Sequence, residues 1–379
     1  MNFEPYPFEK LNNLLENITP NKNFSPSVLT IGEPQFETPV FIQDSLSKNT
    51  SLLKKYPKTG GEKNLRESQI NFVQKRFNVS LSNAQIIPTF GTREVLFNFP
   101  QFLLFDKKNP VMAYTNPFYQ IYEGAAIATR SKVIHLNLNA ANNFKPLIDE
   151  DVLSSCDLVI LNFPNNPTSS ILSLDELGIW VNLALKHDFV LLNDECYSEI
   201  YTQEKIPSLL EAALHVGNKE FKNTLVINSI SKRSSAPGLR SGFIAGDAKI
   251  LAEYMKYRTY VGCASPLPLQ SAAADAWSDE AHVSASREIY KGNFILANKI
   301  LGVAIPKATF YVWLPVENAL EFTKKLYKEY NVKVLPGEFL ARKDAKGENP
   351  GLGFVRIALV ESEEKTKDAL ERIKECLHG

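Results

Sequence analysis

Three short stretches carry residue types that do chemistry in company rather than alone. In Ser229-Ile230-Ser231-Lys232-Arg233-Ser234-Ser235-Ala236-Pro237-Gly238-Leu239-Arg240, a lysine follows an apolar run that reads as a strand. Lys232 therefore belongs at a strand's C-terminal end, where α/β sheets place their ligands. A lysine amine condenses with an aldehyde to a Schiff base once it is deprotonated, and burial favours that. Ser229 and Arg240 add a hydroxyl and a guanidinium, both suited to a phosphate, which arginine holds with two parallel hydrogen bonds. A lone loop lysine is ordinarily a solvated base; Ser229 before it and Gly238-Leu239-Arg240 after it set this one apart.

In the second stretch, Asn193-Asp194-Glu195-Cys196-Tyr197, Asp194 also closes an apolar run. A carboxylate there can hold a protonated heteroaromatic nitrogen and turn the ring into an electron sink. Tyr197, three residues on, can bond a phenolic oxygen of such a ring. Taken alone, the pattern would also suit a helix cap. The third stretch, Asn162-Phe163-Pro164-Asn165-Asn166-Pro167-Thr168, closes another strand. Its prolines stiffen the loop, and Asn166 is pushed to an extended backbone by Pro167; alone, it reads as an ordinary turn.

The elements that must position these residues alternate. Val111–Tyr114, Lys132–Leu136, Leu158–Asn162, Val190–Asn193, Leu225–Ser229 and Gly242–Ala245 are candidate strands, mostly continuous apolar runs. Such runs suit strands covered on both faces by helices. Ser173-Leu174-Asp175-Glu176 reads as a capping box. Behind it, Leu177, Trp180, Val181, Ala184 and Leu185 form one helical stripe. With the strands on either side this is a βαβ unit with parallel strands. The last hundred residues read as a smaller α+β domain, with a strand at Phe310–Leu314 and a helix over Glu363–Leu377. The expected division is 1–40 as an N-terminal arm joined to the small domain, 41–275 as a large α/β domain and 276–379 as the small domain. The expected fold class is α/β, a mostly parallel central sheet covered by helices.

Composition narrows the function classes. The 379 residues hold 42 Lys plus Arg and 42 Asp plus Glu, so net charge is near zero. A balanced chain has no electrostatic footprint for nucleic acid or an anionic membrane. The four cysteines, Cys156, Cys196, Cys263 and Cys376, show no C-x-x-C spacing, and no metal site is expected. No apolar run is long enough to span a bilayer, and the start lacks a leader pattern. The expectation is a cytoplasmic protein.

Asn166, Asp194 and Lys232 occur in the order found in the fold-type I aminotransferases of classes I and II, and the sequence resembles that family. Its motifs are an Asn-Pro-Thr-Gly turn, an Asp-x-x-Tyr strand end and a Ser-x-x-Lys loop leading to Gly-x-Arg. The likeness extends over nearly the whole chain. Gly32-Glu33-Pro34 resembles the glycine loop that lies against the substrate. Tyr56-Pro57-Lys58-Thr59-Gly60-Gly61 resembles the segment whose tyrosine reaches the neighbouring subunit's phosphate site. Phe90-Gly91-Thr92-Arg93-Glu94 resembles the glycine turn opening the helix beneath the phosphate. Asn116-Pro117-Phe118-Tyr119 places an aromatic where the family stacks one on the cofactor ring. Val355-Arg356-Ile357 matches the arginine that grips the substrate α-carboxylate.

Within the family, the stretches Pro5–Leu11, Gly91–Glu94, Asn116–Gly124, Asp194–Tyr201, Ser231–Ser234 and Asn349–Gly351 resemble the bacterial succinyldiaminopimelate aminotransferases. The resemblance implies pyridoxal 5'-phosphate as cofactor, carried on Lys232. Asp194 would face the ring nitrogen, and Tyr197 and Asn166 the ring oxygen, with Tyr119 on the ring face. Gly91, Thr92, Arg93, Ser229 and Arg240 would hold the phosphate, together with Tyr56 of a second subunit in a homodimer with shared sites. Arg356, Gly32 and Asn166 would hold amino-acid and 2-oxo-acid substrates. The implied reaction converts N-succinyl-diaminopimelate and 2-oxoglutarate to N-succinyl-2-amino-6-oxopimelate and glutamate. An aspartate, alanine or acetylornithine aminotransferase and a carbon–sulfur lyase of the same fold remain open. So does a regulatory protein that kept the fold, for which the chain offers neither spare length nor a basic patch. Arg342 is a candidate partner for the substrate's distal carboxylates. The chain departs from the family pattern twice. Ser169 stands where the family has glycine, which leaves that turn's geometry open, and Pro100 should kink its helix or end it early.

Overall fold

The computed structural model describes residues 3–379. Its strands are β1 (Ser27–Val28), β2 (Ile86–Thr89), β3 (Val111–Asn116), β4 (Lys132–Asn137), β5 (Leu158–Leu161), β6 (Val190–Asp194), β7 (Thr224–Ser229), β8 (Gly242–Gly246), β9 (Tyr311–Pro315), β10 (Val332–Lys333), β11 (Leu335–Pro336) and β12 (Phe354–Ala358). A seven-stranded sheet has the order β2-β8-β7-β6-β5-β3-β4. Its strands run parallel except β8, which is antiparallel to both neighbours. Every residue of β5, β6, β7 and β8 is buried, as continuous apolar runs require of a sheet covered on both faces. One hydrophobic cluster lies on each side of this sheet, one holding Val159, Leu191 and Trp180, the other Ile160, Leu192 and Phe99.

The helix Leu174–His187 carries the foreseen capping box: Ser173 Oγ accepts from the Glu176 amide, and Glu176 Oε2 accepts from the Ser173 amide at 2.8 Å. Leu177, Trp180, Val181 and Ala184 are buried; Leu185 packs against the same cluster at partial exposure. β5, this helix and β6 form the parallel βαβ unit.

The second body is a three-stranded antiparallel sheet, β11-β12-β9. The N-terminal arm joins its surroundings through β1, which pairs parallel with β10. The helix Glu363–His378 buries Ala369, Leu370 and Ile373 in this sheet's core. Among the described residues, no helix is long and apolar enough to cross a membrane.

Two differences from the sequence reading have physical causes. β2 escapes a pattern search because Pro88 interrupts its run; it is tolerated because β2 is an edge strand. The small-sheet strand begins at Tyr311 rather than Phe310 and includes Pro315. The helix Thr92–Leu103 runs only three residues past Pro100 before it ends; the proline costs the one helical bond to the Leu96 carbonyl, and Leu104 N–H donating to Pro100 O at 3.0 Å closes the final turn.

Candidate active site

Because β5, β6 and β7 are parallel, their C-terminal ends open on one edge, followed by Asn166, Asp194–Tyr197 and Lys232. β8 runs the other way, so its N-terminal end, preceded by Arg240, meets Ser229 at the same edge, where Ser229 pairs with Gly242. Thr89 of β2 pairs with Gly242 as well and leads into Gly91 and Thr92. This edge forms one wall of a cavity of about 740 Å³; Tyr311 and Arg356 of the small sheet and Tyr6, Phe8 and Gly32 of the N-terminal segment close it. Such a volume is ordinary for a cofactor and a small substrate.

Ser229 Oγ accepts from the Ser231 amide at 3.1 Å and starts the helical turn Ile230–Arg233, which carries Lys232 into the cavity. Lys232 Nζ donates to the Gly32 carbonyl. Burial pushes the Lys232 ammonium down to about 8, against Cys196 and Glu33 and with help from the cations Arg356 and Arg240. A lysine so shifted offers free amine near neutral pH, which an attack on an aldehyde needs.

Asp194 is the last residue of β6 and is 5% exposed. Burial raises its carboxyl above the usual range, while hydrogen bonds from Cys196 and Tyr122 pull it back. The Cys196 amide donates to Oδ1 at 3.2 Å and the Tyr122 hydroxyl to Oδ2 at 2.9 Å. A proton on a facing ring nitrogen would give this buried carboxylate a counter-charge. Tyr119 lies one helical step from Tyr122 and presents its ring to the cavity.

Arg356 is 4% exposed. Its Nη1 donates to Asn166 Oδ1 at 2.8 Å and its Nη2 to the Thr30 carbonyl at 2.6 Å. Nε is buried without a partner. An orphaned charged N–H is costly, and a carboxylate in the cavity would relieve it.

Gly91 caps the helix Thr92–Leu103 at φ +74°, a conformation that favours glycine, and a Cβ there would push the Arg240 guanidinium out of its place. The first-turn amides have no partner within the helix, and its dipole favours an anion at this end. Burial and the neighbouring charge of Arg93 lower the Arg240 pKa, as for a cation whose anion is still to come. Beneath the turn, Glu94 accepts from the Phe90 amide at 3.0 Å and forms a buried two-point ion pair with Arg258 at 2.9 Å. Lysine, carboxylate and anion cradle thus fit pyridoxal 5'-phosphate at its aldehyde, ring nitrogen and phosphate.

Most of the residues picked from the sequence line this cavity, but not all. Gly91 sits behind it, under Arg240. Tyr56 lies outside it and is 99% exposed. The Arg93 side chain is exposed at the cavity wall, where Nε donates to the Tyr119 hydroxyl at 2.9 Å. Arg342 is not part of the wall: its guanidinium pairs with Glu123 at 2.7 Å and covers the Phe118 ring, so its charge is already taken. Ser169 adopts φ +60°, in the left-handed region that glycine enters without strain, and its hydroxyl is bound to Thr309 Oγ1 and, at 2.8 Å, the Tyr311 carbonyl. Sequence reasoning missed Tyr122, Thr30 and Tyr311. Tyr122 was legible as the residue one helical step past Tyr119; Thr30 and Tyr311 reach the site through long-range pairing that leaves no local signal.

The sequence profile of the family described as Aminotransferase class I and II matches residues 27–373. A solved structure of aminotransferase AspB from Helicobacter pylori 26695 is 50% identical, covers 100% of both chains and superposes with a TM-score of 0.97. An aminotransferase from Neisseria meningitidis Z2491 is 39% identical over 99% of this chain and 98% of its own, with a TM-score of 0.94. The LL-diaminopimelate aminotransferase of Natranaerobius thermophilus is 30% identical over 99% of this chain and 97% of its own.

Proposed function

The chain belongs to the class I and II aminotransferases, a pyridoxal 5'-phosphate-dependent family of enzymes, and on that premise we propose that it transfers an amino group between N-succinyl-diaminopimelate and 2-oxoglutarate. The products are N-succinyl-2-amino-6-oxopimelate and glutamate, and the place of the reaction is diaminopimelate and lysine synthesis. The observation that carries this substrate class is Arg93. Arg240 answers a phosphate and Arg356 an α-carboxylate. Arg93 is a third arginine on the cavity wall, and among the described residues it has no carboxylate partner. A substrate with a further carboxylate supplies one. Both glutamate and the succinylated diaminopimelate have it; alanine does not. The name of the Natranaerobius relative supports a diaminopimelate skeleton, and also favours unmodified LL-diaminopimelate as a second reading.

When bound, the cofactor supplies the aldehyde that takes up the amino group and the ring that accepts electrons from Cα. Lys232 holds the cofactor, then moves the proton at the substrate's Cα as general base and acid. Asp194 keeps the ring nitrogen protonated. Asn166 and Tyr197 face the ring oxygen, and Tyr119 covers the ring. Ser229, Thr92, Arg240 and the first-turn backbone amides of the helix that opens at Gly91, that of Arg93 included, hold the phosphate, which leaves the Arg93 guanidinium for the substrate's further carboxylate. Arg356, Gly32 and Asn166 orient the α-carboxylate end. We assign the active unit as a homodimer in which the exposed Tyr56 completes the partner subunit's phosphate site. On the same reading, residues 41–275 bind the cofactor, and 276–379 with 1–40 carry the carboxylate clamp; the β1–β10 pairing supports joining the arm to the small domain.

The test compares kcat/KM for N-succinyl-diaminopimelate, LL-diaminopimelate, acetylornithine, aspartate and alanine, each with 2-oxoglutarate. The succinylated substrate should lead. A lead of about tenfold or more, roughly 1.4 kcal/mol, for any other overturns the substrate and leaves the enzyme class standing.

A further inference from the structure

Tyr311 stands where four parts of the site meet. It opens β9 and is 2% exposed. Its hydroxyl lies 2.9 Å from the Tyr197 hydroxyl. Its ring lies under the Arg356 guanidinium, with Cζ 4.5 Å from the ring centroid. The two are diagonal neighbours on one face of the sheet, since Arg356 pairs with Trp313 and Ala358 with Tyr311. A Cβ at Gly32 would fall on the tip of the phenol, so the loop whose carbonyl accepts from Lys232 packs directly on Tyr311. The Tyr311 carbonyl accepts from Ser169 Oγ at 2.8 Å, which ties in the turn carrying Asn166.

A phenol has one proton to give. If the Tyr197 proton went to Tyr311, none would remain for the ring oxygen of the cofactor. If instead Tyr311 donates to Tyr197, the Tyr197 proton points into the cavity, and the accepted bond makes it a stronger donor, because hydrogen bonds in a chain polarise one another. Arg356 over the ring and Ser169 at the carbonyl hold Tyr311 in place, so that its hydroxyl stays within reach of Tyr197.

We propose that Tyr311 is a positioning residue whose hydroxyl donates to Tyr197 and thereby aims and strengthens the Tyr197 O–H toward the cofactor's ring oxygen. The proposal rests on the cofactor placement given above. Tyr311→Phe removes the oxygen and keeps the ring under Arg356. A merely structural role predicts a change in thermal stability alone. The positioning role predicts a change in the pH at which the bound cofactor changes colour. A weaker Tyr197 donor stabilises the ionised ring oxygen less, so the midpoint moves up, by about half to one pH unit for a neutral hydrogen bond.

The experiment titrates absorbance against pH for purified holoenzyme in four forms: unaltered, Tyr311→Phe, Tyr197→Phe and the double variant. The expected result is an upward shift for Tyr311→Phe in the unaltered background and none in the Tyr197→Phe background. The KM for the amino acid should stay within about twofold, since the Arg356 contact is kept. No shift in the unaltered background, or an equal shift in both, overturns the proposal. A purified protein without bound chromophore would instead overturn the cofactor placement beneath it.

Discussion

Tyr122→Phe removes one oxygen from beneath Asp194 and leaves the ring in place. The Tyr122 hydroxyl is one of two donors to the Asp194 carboxylate, and both residues are buried. A hydrogen bond to a charged group is worth about 1.5–3 kcal/mol. Its loss falls on the ionised form of Asp194, which burial already disfavours. The carboxyl should therefore move further up. Asp194 then holds the ring-nitrogen proton less well. The rate of the first half-reaction with glutamate should fall about 10- to 100-fold. The assay is single-turnover loss of the cofactor's absorbance on mixing with glutamate, beside the cofactor's dissociation constant from dialysis. The ring packing against Tyr114 and Tyr119 is unchanged, so the melting temperature should move little. A variant within about twofold of the parent in both rate and cofactor affinity would refute the reasoning.

Lys232 makes a pH prediction. Its pKa in the folded apoprotein is about 8, against roughly 10.4 for an unfolded chain. Between these values the unfolded chain binds more protons, so apoprotein stability rises with pH across that window. Cofactor capture, which needs the free amine, should speed up as pH rises and level off above about 8; a flat rate profile in a stopped-flow series would contradict this. Ser169→Ala keeps the left-handed backbone and loses the hydroxyl bonds to Thr309 and Tyr311, so urea unfolding should show a loss of about 1–3 kcal/mol; an unchanged midpoint would speak against it. For the shared dimer, inactive Tyr56→Ala chains mixed with inactive Lys232→Ala chains should recover activity, because one site keeps Lys232 beside the partner's Tyr56. Tyr56→Ala/Arg356→Ala chains mixed with Lys232→Ala chains should stay inactive. No recovery in the first mixture, with chain exchange verified, counts against sharing.

What the sequence made legible is what local chemistry writes into short segments. Continuous apolar runs marked β3 and β5 to β8, because a sheet buried on both faces tolerates little else, whereas β4, at the edge, is only partly buried. Ser173 and Glu176 marked a helix start because the capping box is built from neighbours. Lys232, Asp194 and Asn166 were visible because each lies at or within a few residues of its strand's C-terminal end. β2 was hidden by Pro88, whose missing N–H is harmless only on an edge that the sequence does not reveal. Arg342 was misjudged for a related reason: its partner Glu123 is far along the chain, and only the fold brings the two charges together. Tyr311 and Thr30 likewise depend on the small sheet and arm closing over the large sheet's edge. Ser169 shows the reverse case, where a serine in glycine's place in the motif still takes a positive φ.

Lys232 is the residue on which the cofactor's place in the site depends most directly. The purified protein should be yellow; borohydride reduction followed by proteolysis and mass mapping should place the reduced cofactor on the peptide containing Lys232, and Lys232→Ala should take no stable label. A label on any other lysine, or a Lys232→Ala protein that still fixes the cofactor in equal yield, would contradict the site as assigned.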